Sequence, residues 1–268
     1  MNNKRRPVDN YIALLLSVAV IAAASYLLFS TAGEDSGFIE EVNSKAVSAN
    51  ILLLNEIETP EYISFTGGQS GAIIKKENGK YYALTALHGV PAGPGADETK
   101  LLVLGYDQPL YREAEVNMGL KAYYAQFPEA AVEYYDSAYD LAVISFKSMN
   151  DYAVLPIASE PPEYKETVAV IGNPGSGERN TVVTGKITSR KPAPFSGKED
   201  GGQSIIIQNS AKTSGGFSGG ALVNEDLELV GIHLGAMVNI FDQFKSSCAV
   251  PSDKILEFLA GWRKSYTI

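Results

Sequence analysis

The stretch Thr213-Ser214-Gly215-Gly216-Phe217-Ser218-Gly219-Gly220 sets one hydroxyl among glycines and runs straight into the apolar Ala221-Leu222-Val223. Glycine adopts positive φ at little steric cost, so this backbone can turn sharply and bring main-chain N–H groups together beside the Ser218 side chain. Converging donors of that kind stabilise a developing oxyanion, and the N–H groups of Gly216 and Ser218 are the candidate pair. A serine hydroxyl is a weak nucleophile at neutral pH. It needs a base to take its proton and a carboxylate to orient that base. His88 ends the β-prone run that starts at Tyr81, where the chain turns at Gly89. Asp140 heads Leu141-Ala142-Val143-Ile144-Ser145-Phe146, and an acid at the start of so apolar a strand needs a partner. Taken singly, these are an ordinary boundary histidine, a capping aspartate and a turn serine. Taken in order, His88, Asp140 and Ser218 are base, orienting acid and nucleophile for acyl transfer.

Short β-prone runs divided by turn residues must position these groups, the pattern of an all-β barrel or sandwich rather than of an α/β sheet. The spacing predicts strands at 72–75, 81–85, 101–104, 112–116 and 131–135 and another after Asp140, with Asn78-Gly79 as the hairpin turn between the first two. Residues 51 to about 150 form a first lobe. A connection holding Pro156, Pro161 and Pro162 leads to a second, at about 163–250. There, strands are predicted at 168–171, 181–187, 204–208 and 229–234, with a long polar loop from Arg190 to Gln203. Residues 251–263 carry helical periodicity through Ile255, Leu256, Phe258, Leu259 and Trp262.

The 268 residues are 45% hydrophobic and 20% charged, ample for a core and unlike a disordered chain. A net charge of -9 argues against a nucleic-acid partner, because phosphate binding needs a basic footprint. Cys248 is the single cysteine, so an intrachain disulfide is ruled out. Tyr11 to Phe29 is uncharged and apolar, long enough as a helix to span the roughly 30 Å of a bilayer core. Lys4, Arg5 and Arg6 precede it, which keeps residues 1–10 cytoplasmic and sends the remainder across. A signal peptide cleaved at the small residues 22–25, giving a secreted protein, is the alternative. Residues 30–50 turn polar and acidic and read as a juxtamembrane spacer, with a short amphipathic helix around 38–47.

At Thr85-Ala86-Leu87-His88, Asp140-Leu141-Ala142 and Gly216-Phe217-Ser218-Gly219-Gly220 the chain resembles the chymotrypsin-type (trypsin-like) serine endopeptidases. The likeness covers about residues 60–262. It implies two six-stranded antiparallel β-barrels with the site in the cleft between them, a C-terminal helix, a polypeptide substrate, and no metal or cofactor. Ile171-Gly172-Asn173-Pro174, Val182 to Ile187 and Ala249-Val250-Pro251-Ser252 are similar to HtrA-type protease domains. Thr213 to Gly219 and Gly231-Ile232-His233-Leu234-Gly235 are similar to glutamyl endopeptidases. That second likeness implies a primary pocket lined by Thr213 and His233 and cleavage after Glu, and Lys212 falls where chymotrypsin-type proteases place the residue at the pocket base. Phe217 stands where animal trypsin-like enzymes carry the aspartate that pairs with a newly cut N-terminus, so that activation switch is not expected. A catalytically silent module of the same fold, binding peptides or partners at the cell surface, is the alternative function.

Overall fold

The computed structural model describes residues 36–59, 61–91, 99–194, 203–241 and 243–265. The chain divides into two units, Met1–Glu40 and Glu41–Ile268. In the first, residues 36–40 are helical, and the predicted membrane segment 11–29 lies outside the described residues. Among the described residues no helix is long and apolar enough to cross a membrane.

The second unit opens with helical turns, Val42–Ala46 and Val47–Ala49, in which Val42 and Ala46 are buried. Six strands follow: β1 (Asn50–Glu58), β2 (Ile63–Glu77), β3 (Lys80–Ala86), β4 (Thr99–Leu104), β5 (Ala131–Asp136) and β6 (Leu141–Lys147). They form one antiparallel sheet in the order β4-β1-β2-β3-β6-β5. Asn78 and Gly79, at φ 52° and 75°, make the tight β2–β3 hairpin that their sequence predicts. This sheet is an open half-barrel, not the closed first barrel expected. Among the described residues, an isolated bridge between Leu102 and Glu129 joins its edges, with Ala130 N–H on Leu101 O at 2.7 Å and Val103 N–H on Pro128 O at 2.9 Å. Pro128 has no N–H to extend that ladder.

The second lobe is a closed barrel of β7 (Thr167–Gly172), β8 (Thr181–Pro194), β9 (Gln203–Asn209), β10 (Ala221–Val223), β11 (Leu229–Val238) and β12 (Phe244–Pro251), in the order β10-β11-β12-β9-β8-β7. Two sequence expectations are corrected. Both ends of the predicted 190–203 loop, residues 190–194 and 203, are strand, with β8 pairing to β9 as far as Pro194 and Gln203. Pro192 and Pro194 are tolerated there because β7 pairs with β8 only over Thr181–Lys186, so beyond that point β8 behaves as an edge. The predicted strand at 112–116 is a turn, closed by Ala114 N–H on Leu110 O at 3.0 Å, with the Glu113 carboxylate accepting from Leu110 N–H.

The barrel core includes Val168, Val170, Ile187, Ile207, Leu222 and Val230, and Phe217 is driven into it with 2% of its surface exposed. A Cβ at Gly172 would meet the Phe217 ring at 2.5 Å, so the strand under that ring must carry glycine. The C-terminal helix Ser252–Ser265 packs back on the first sheet, with Phe258 on Tyr134 at 5.1 Å and Trp262 on Tyr82 at 5.6 Å between ring centres. Cys248 is buried, and burial pushes its thiol up to about 11.

Candidate active site

β3 ends at Ala86, and a single 3-10 turn, Leu87–Gly89, carries His88 out of the sheet. Asp140 sits just before β6 with φ 53°, a left-handed conformation that aspartate tolerates in turns. Its carbonyl accepts from Leu87 N–H at 3.0 Å, and its carboxylate accepts from His88 N–H at 2.9 Å and lies 2.7 Å from His88 Nδ1. An ionised carboxylate only accepts, so Nδ1 carries the proton and the Nε2 lone pair is left for a substrate or a hydroxyl. Asp140 is 3% exposed, whereas 43% of the His88 side chain meets solvent. The hydrogen bond to Asp140 raises the His88 pKa above its ordinary value, helped by the carboxylate charge and opposed by burial.

Phe217 is buried in the second barrel's core, and its neighbours Gly216 and Ser218 are half-buried. Gly216 and Gly219 take φ 98° and 83°, the left-handed freedom that the glycine-rich motif predicts. The loop seats on the first lobe, for a Cβ on Gly219 would meet Ser70 O at 2.1 Å and Thr85 Oγ1 at 2.3 Å, near the end of β3. His233 brackets the other side, with Gly219 N–H on His233 O at 2.7 Å and His233 N–H on Gly220 O at 2.9 Å. Among the described residues, no acceptor takes the N–H of Gly216 or of Ser218. The Ser218 hydroxyl donates to the Leu234 carbonyl at 3.0 Å, and no hydrogen bond joins it to His88. Engaging His88 therefore requires the hydroxyl to leave Leu234.

Thr213 and His233 do come together. Thr213 Oγ1 lies 3.2 Å from His233 Nε2 and 2.6 Å from Ser247 Oγ, and Ser247 Oγ donates to Ala211 O at 2.7 Å. Ser247 has one proton and gives it to that carbonyl, so the Thr213 hydroxyl donates to Ser247 and accepts from His233 Nε2–H. His233 is fully buried and its Nδ1 has no partner. Burial, reinforced by the nearby His88 charge, lowers its pKa to about 3, so the ring is neutral. Lys212 is exposed, and the buried hydroxyl–imidazole chain is formed without it.

The trypsin-like peptidase domain family matches residues 69–232, which span His88, Asp140, Ser218 and Thr213. The chain belongs to that family. As a trypsin-like peptidase domain it is 33% identical over 174 residues to the serine protease Do-like HtrA of Bacillus subtilis, covering 63% of this chain and 33% of the relative. It is 30% identical over 192 residues to the serine protease Do-like HtrA of Lactobacillus helveticus, covering 70% and 41%. The chain thus spans well under half the length of these curated relatives. Many solved structures share the fold, two of them as follows. One is an inactive mutant form of Rv3671c from M. tuberculosis, with TM-score 0.59, 17% identity, and 83% of this chain and 90% of that one covered. The other is the serine endoprotease from Yersinia pestis, with TM-score 0.59, 21% identity, and 84% and 66% covered.

Two hydroxyls at the site, those of Ser70 and Ser247, lie outside every segment that the sequence singles out. Asn173 and Leu234 lie inside such segments, Ile171-Gly172-Asn173-Pro174 and Gly231-Ile232-His233-Leu234-Gly235, which assign them no role.

Proposed function

We propose that this protein is a serine endopeptidase. His88 Nε2 takes the Ser218 proton as Oγ attacks the scissile carbonyl, and the Gly216 and Ser218 N–H groups receive the oxyanion. The resulting imidazolium, balanced by Asp140, then protonates the leaving amine, and an acyl group remains on Ser218. Water activated by the same imidazole releases it. The observation that carries this reading is the two-point hold of Asp140 on His88 beside two unaccepted N–H groups flanking a buried Phe217. Labelling with a fluorophosphonate probe tests it: the full chain reacts at Ser218 and a Ser218→Ala variant does not. An unlabelled wild-type chain favours the catalytically silent module, the reading to which the Ser218–Leu234 hydrogen bond lends support.

Two finer features belong to the same proposal. The primary pocket takes a Glu side chain, its carboxylate replacing Ser247 as acceptor of the Thr213 hydroxyl and receiving His233 Nε2–H, with polypeptide as the substrate class. Residues 11–29 anchor the chain in a membrane, and the charge at Lys4, Arg5 and Arg6 places the peptidase domain on the extracytoplasmic side. Accessibility of that domain to protease added outside intact cells decides the orientation.

A further inference from the structure

Four consecutive carbonyls of the nucleophile loop each have a donor. Gly215 O accepts from Gly175 N–H at 2.7 Å, Gly216 O from Ser70 Oγ at 2.8 Å, Phe217 O from Gly220 N–H at 2.9 Å, and Ser218 O from Ser70 N–H at 2.8 Å. In a trans peptide the N–H points opposite to the C=O. Holding the carbonyls of residues 215 and 217 therefore aims the N–H groups of Gly216 and Ser218, because each pair shares a peptide plane. The Gly216–Phe217 plane lies between them, and glycine at φ 98° imposes no side-chain barrier to its rotation. Two contacts resist that rotation, a long one from Phe217 N–H to Ser214 O at 3.4 Å and a much shorter one from the Ser70 hydroxyl to Gly216 O at 2.8 Å; the shorter one comes from a side chain, whereas the donors to the other three carbonyls are main-chain.

The Ser70 hydroxyl has a single direction open to it. Ser70 is fully buried, and its oxygen accepts from Asn173 N–H at 2.8 Å and from Asn173 Nδ2 at 3.3 Å. Both are obligate donors, so the hydroxyl proton is left for Gly216 O. Asn173 is itself 1% exposed, tied through Nδ2 to Ile51 O at 3.0 Å and through Oδ1 to Arg179 Nε at 3.1 Å. The grip on the loop is thus anchored in both lobes, since Ser70 belongs to β2 of the first sheet and Asn173 follows β7 of the second barrel.

We propose that Ser70 is a positioning residue of the oxyanion hole, holding the Gly216–Phe217 peptide so that the Gly216 and Ser218 N–H groups face one point. This rests on the endopeptidase reading above. The grip does not touch substrate side chains, so its loss lowers kcat and leaves KM in place. In the full chain, Ser70→Ala lowers kcat about ten- to a hundredfold, less than deleting a hole donor outright. KM stays within about twofold, because ground-state binding does not use the hole. Affinity for a peptidyl boronic acid, whose tetrahedral adduct fills the hole, falls by the same factor as kcat. Hydrogen exchange of the amides in residues 214–220 speeds up, and Ser70→Thr, which keeps the hydroxyl, retains most of the wild-type kcat. Should Ser70→Ala not fold, Ser70→Cys keeps its size with a weaker donor and shows an intermediate kcat.

Wild-type kcat in Ser70→Ala overturns the proposal, as does an equal loss in the alanine and threonine variants. A wild-type chain that neither reacts with a fluorophosphonate nor cleaves peptides refutes the endopeptidase reading instead. The exchange comparison then decides the clamp on its own, and unchanged exchange overturns it.

Discussion

Asp140 holds His88 at two points, one carboxylate oxygen 2.9 Å from the main-chain N–H and the other 2.7 Å from ring Nδ1. The first contact fixes where the residue sits, and the second fixes the ring's orientation and tautomer. Asp140→Asn keeps the shape but can present an amide N–H to Nδ1, which favours the wrong tautomer. We expect kcat to fall about ten-thousandfold with the fold intact, measured on any peptide that the wild type cleaves.

The same pair sets the acid limb of activity. Catalysis needs neutral His88, and Asp140 raises its pKa, so kcat/KM in the wild type declines on acidification with an apparent pKa above the ordinary 6.5. The sign for stability is the reverse. A raised folded-state pKa contributes stability that is fully present below pH 6.5 and lost as pH rises through the folded value. An acid limb at or below 6.5 in the wild type contradicts the pairing.

His233 titrates in the opposite sense. Its folded pKa is lowered to about 3 by burial, so between that value and 6.5 the unfolded chain binds a proton that the folded chain refuses. Stability therefore falls as pH drops through this window, with a limiting slope of about 1.4 kcal/mol per pH unit from this group. Urea midpoints measured from pH 7 to pH 4 should flatten in a His233→Gln variant. An unchanged slope shows that the imidazole is not buried neutral.

The glycines of the nucleophile loop are not equivalent. A Cβ at Gly219 collides with the Ser70 carbonyl and the Thr85 hydroxyl and adds strain at φ 83°, whereas a Cβ at Gly215 meets nothing within 4 Å. Gly219→Ala should lose about 2–4 kcal/mol of stability and Gly215→Ala less than about 0.5, read from denaturant unfolding. Equal effects would mean that the loop does not seat on β3 as described.

These contrasts show which parts of the site could be read from the chain itself. The β2–β3 hairpin was legible because Asn78-Gly79 is a local signal, and the His88–Asp140 pairing because an acid heading the apolar β6 run needs a partner. Ser70 and Ser247 were not, since a lone hydroxyl in a strand has no pattern and acquires its role only from partners more than thirty residues away, Gly216 and Thr213. Lys212 and Thr213 are neighbours, yet one is exposed and one buried, a difference that motif spacing does not resolve. Closure of the first sheet depends on how Pro128 meets β4, again a long-range matter. The 112–116 segment alternates as a strand does, but its Glu113 carboxylate is spent on the local Leu110 turn.

The proposed preference for Glu rests on the chain His233 Nε2–H to Thr213 to Ser247 to Ala211 O. Without substrate, every proton in it is used, and the neutral imidazole offers its donor only to Thr213. A Glu carboxylate brings two strong acceptors, enough to draw the Thr213 proton from Ser247 and the His233 proton from Thr213. Gln presents a single neutral acceptor in place of two charged ones, so it loses the charge-assisted bonds to the Thr213 hydroxyl and His233 Nε2–H, and Glu should exceed Gln by well over tenfold in kcat/KM on peptides varied only before the scissile bond. Thr213→Val removes the shared hydroxyl and should collapse that ratio, while Lys212→Met, altering an exposed side chain outside the buried chain, should leave it within about twofold. Ser247→Ala frees the Thr213 hydroxyl from its resting acceptor and should keep or raise the preference. Equal cleavage after Leu or Lys in the wild type would sink the assignment of this pocket to Glu.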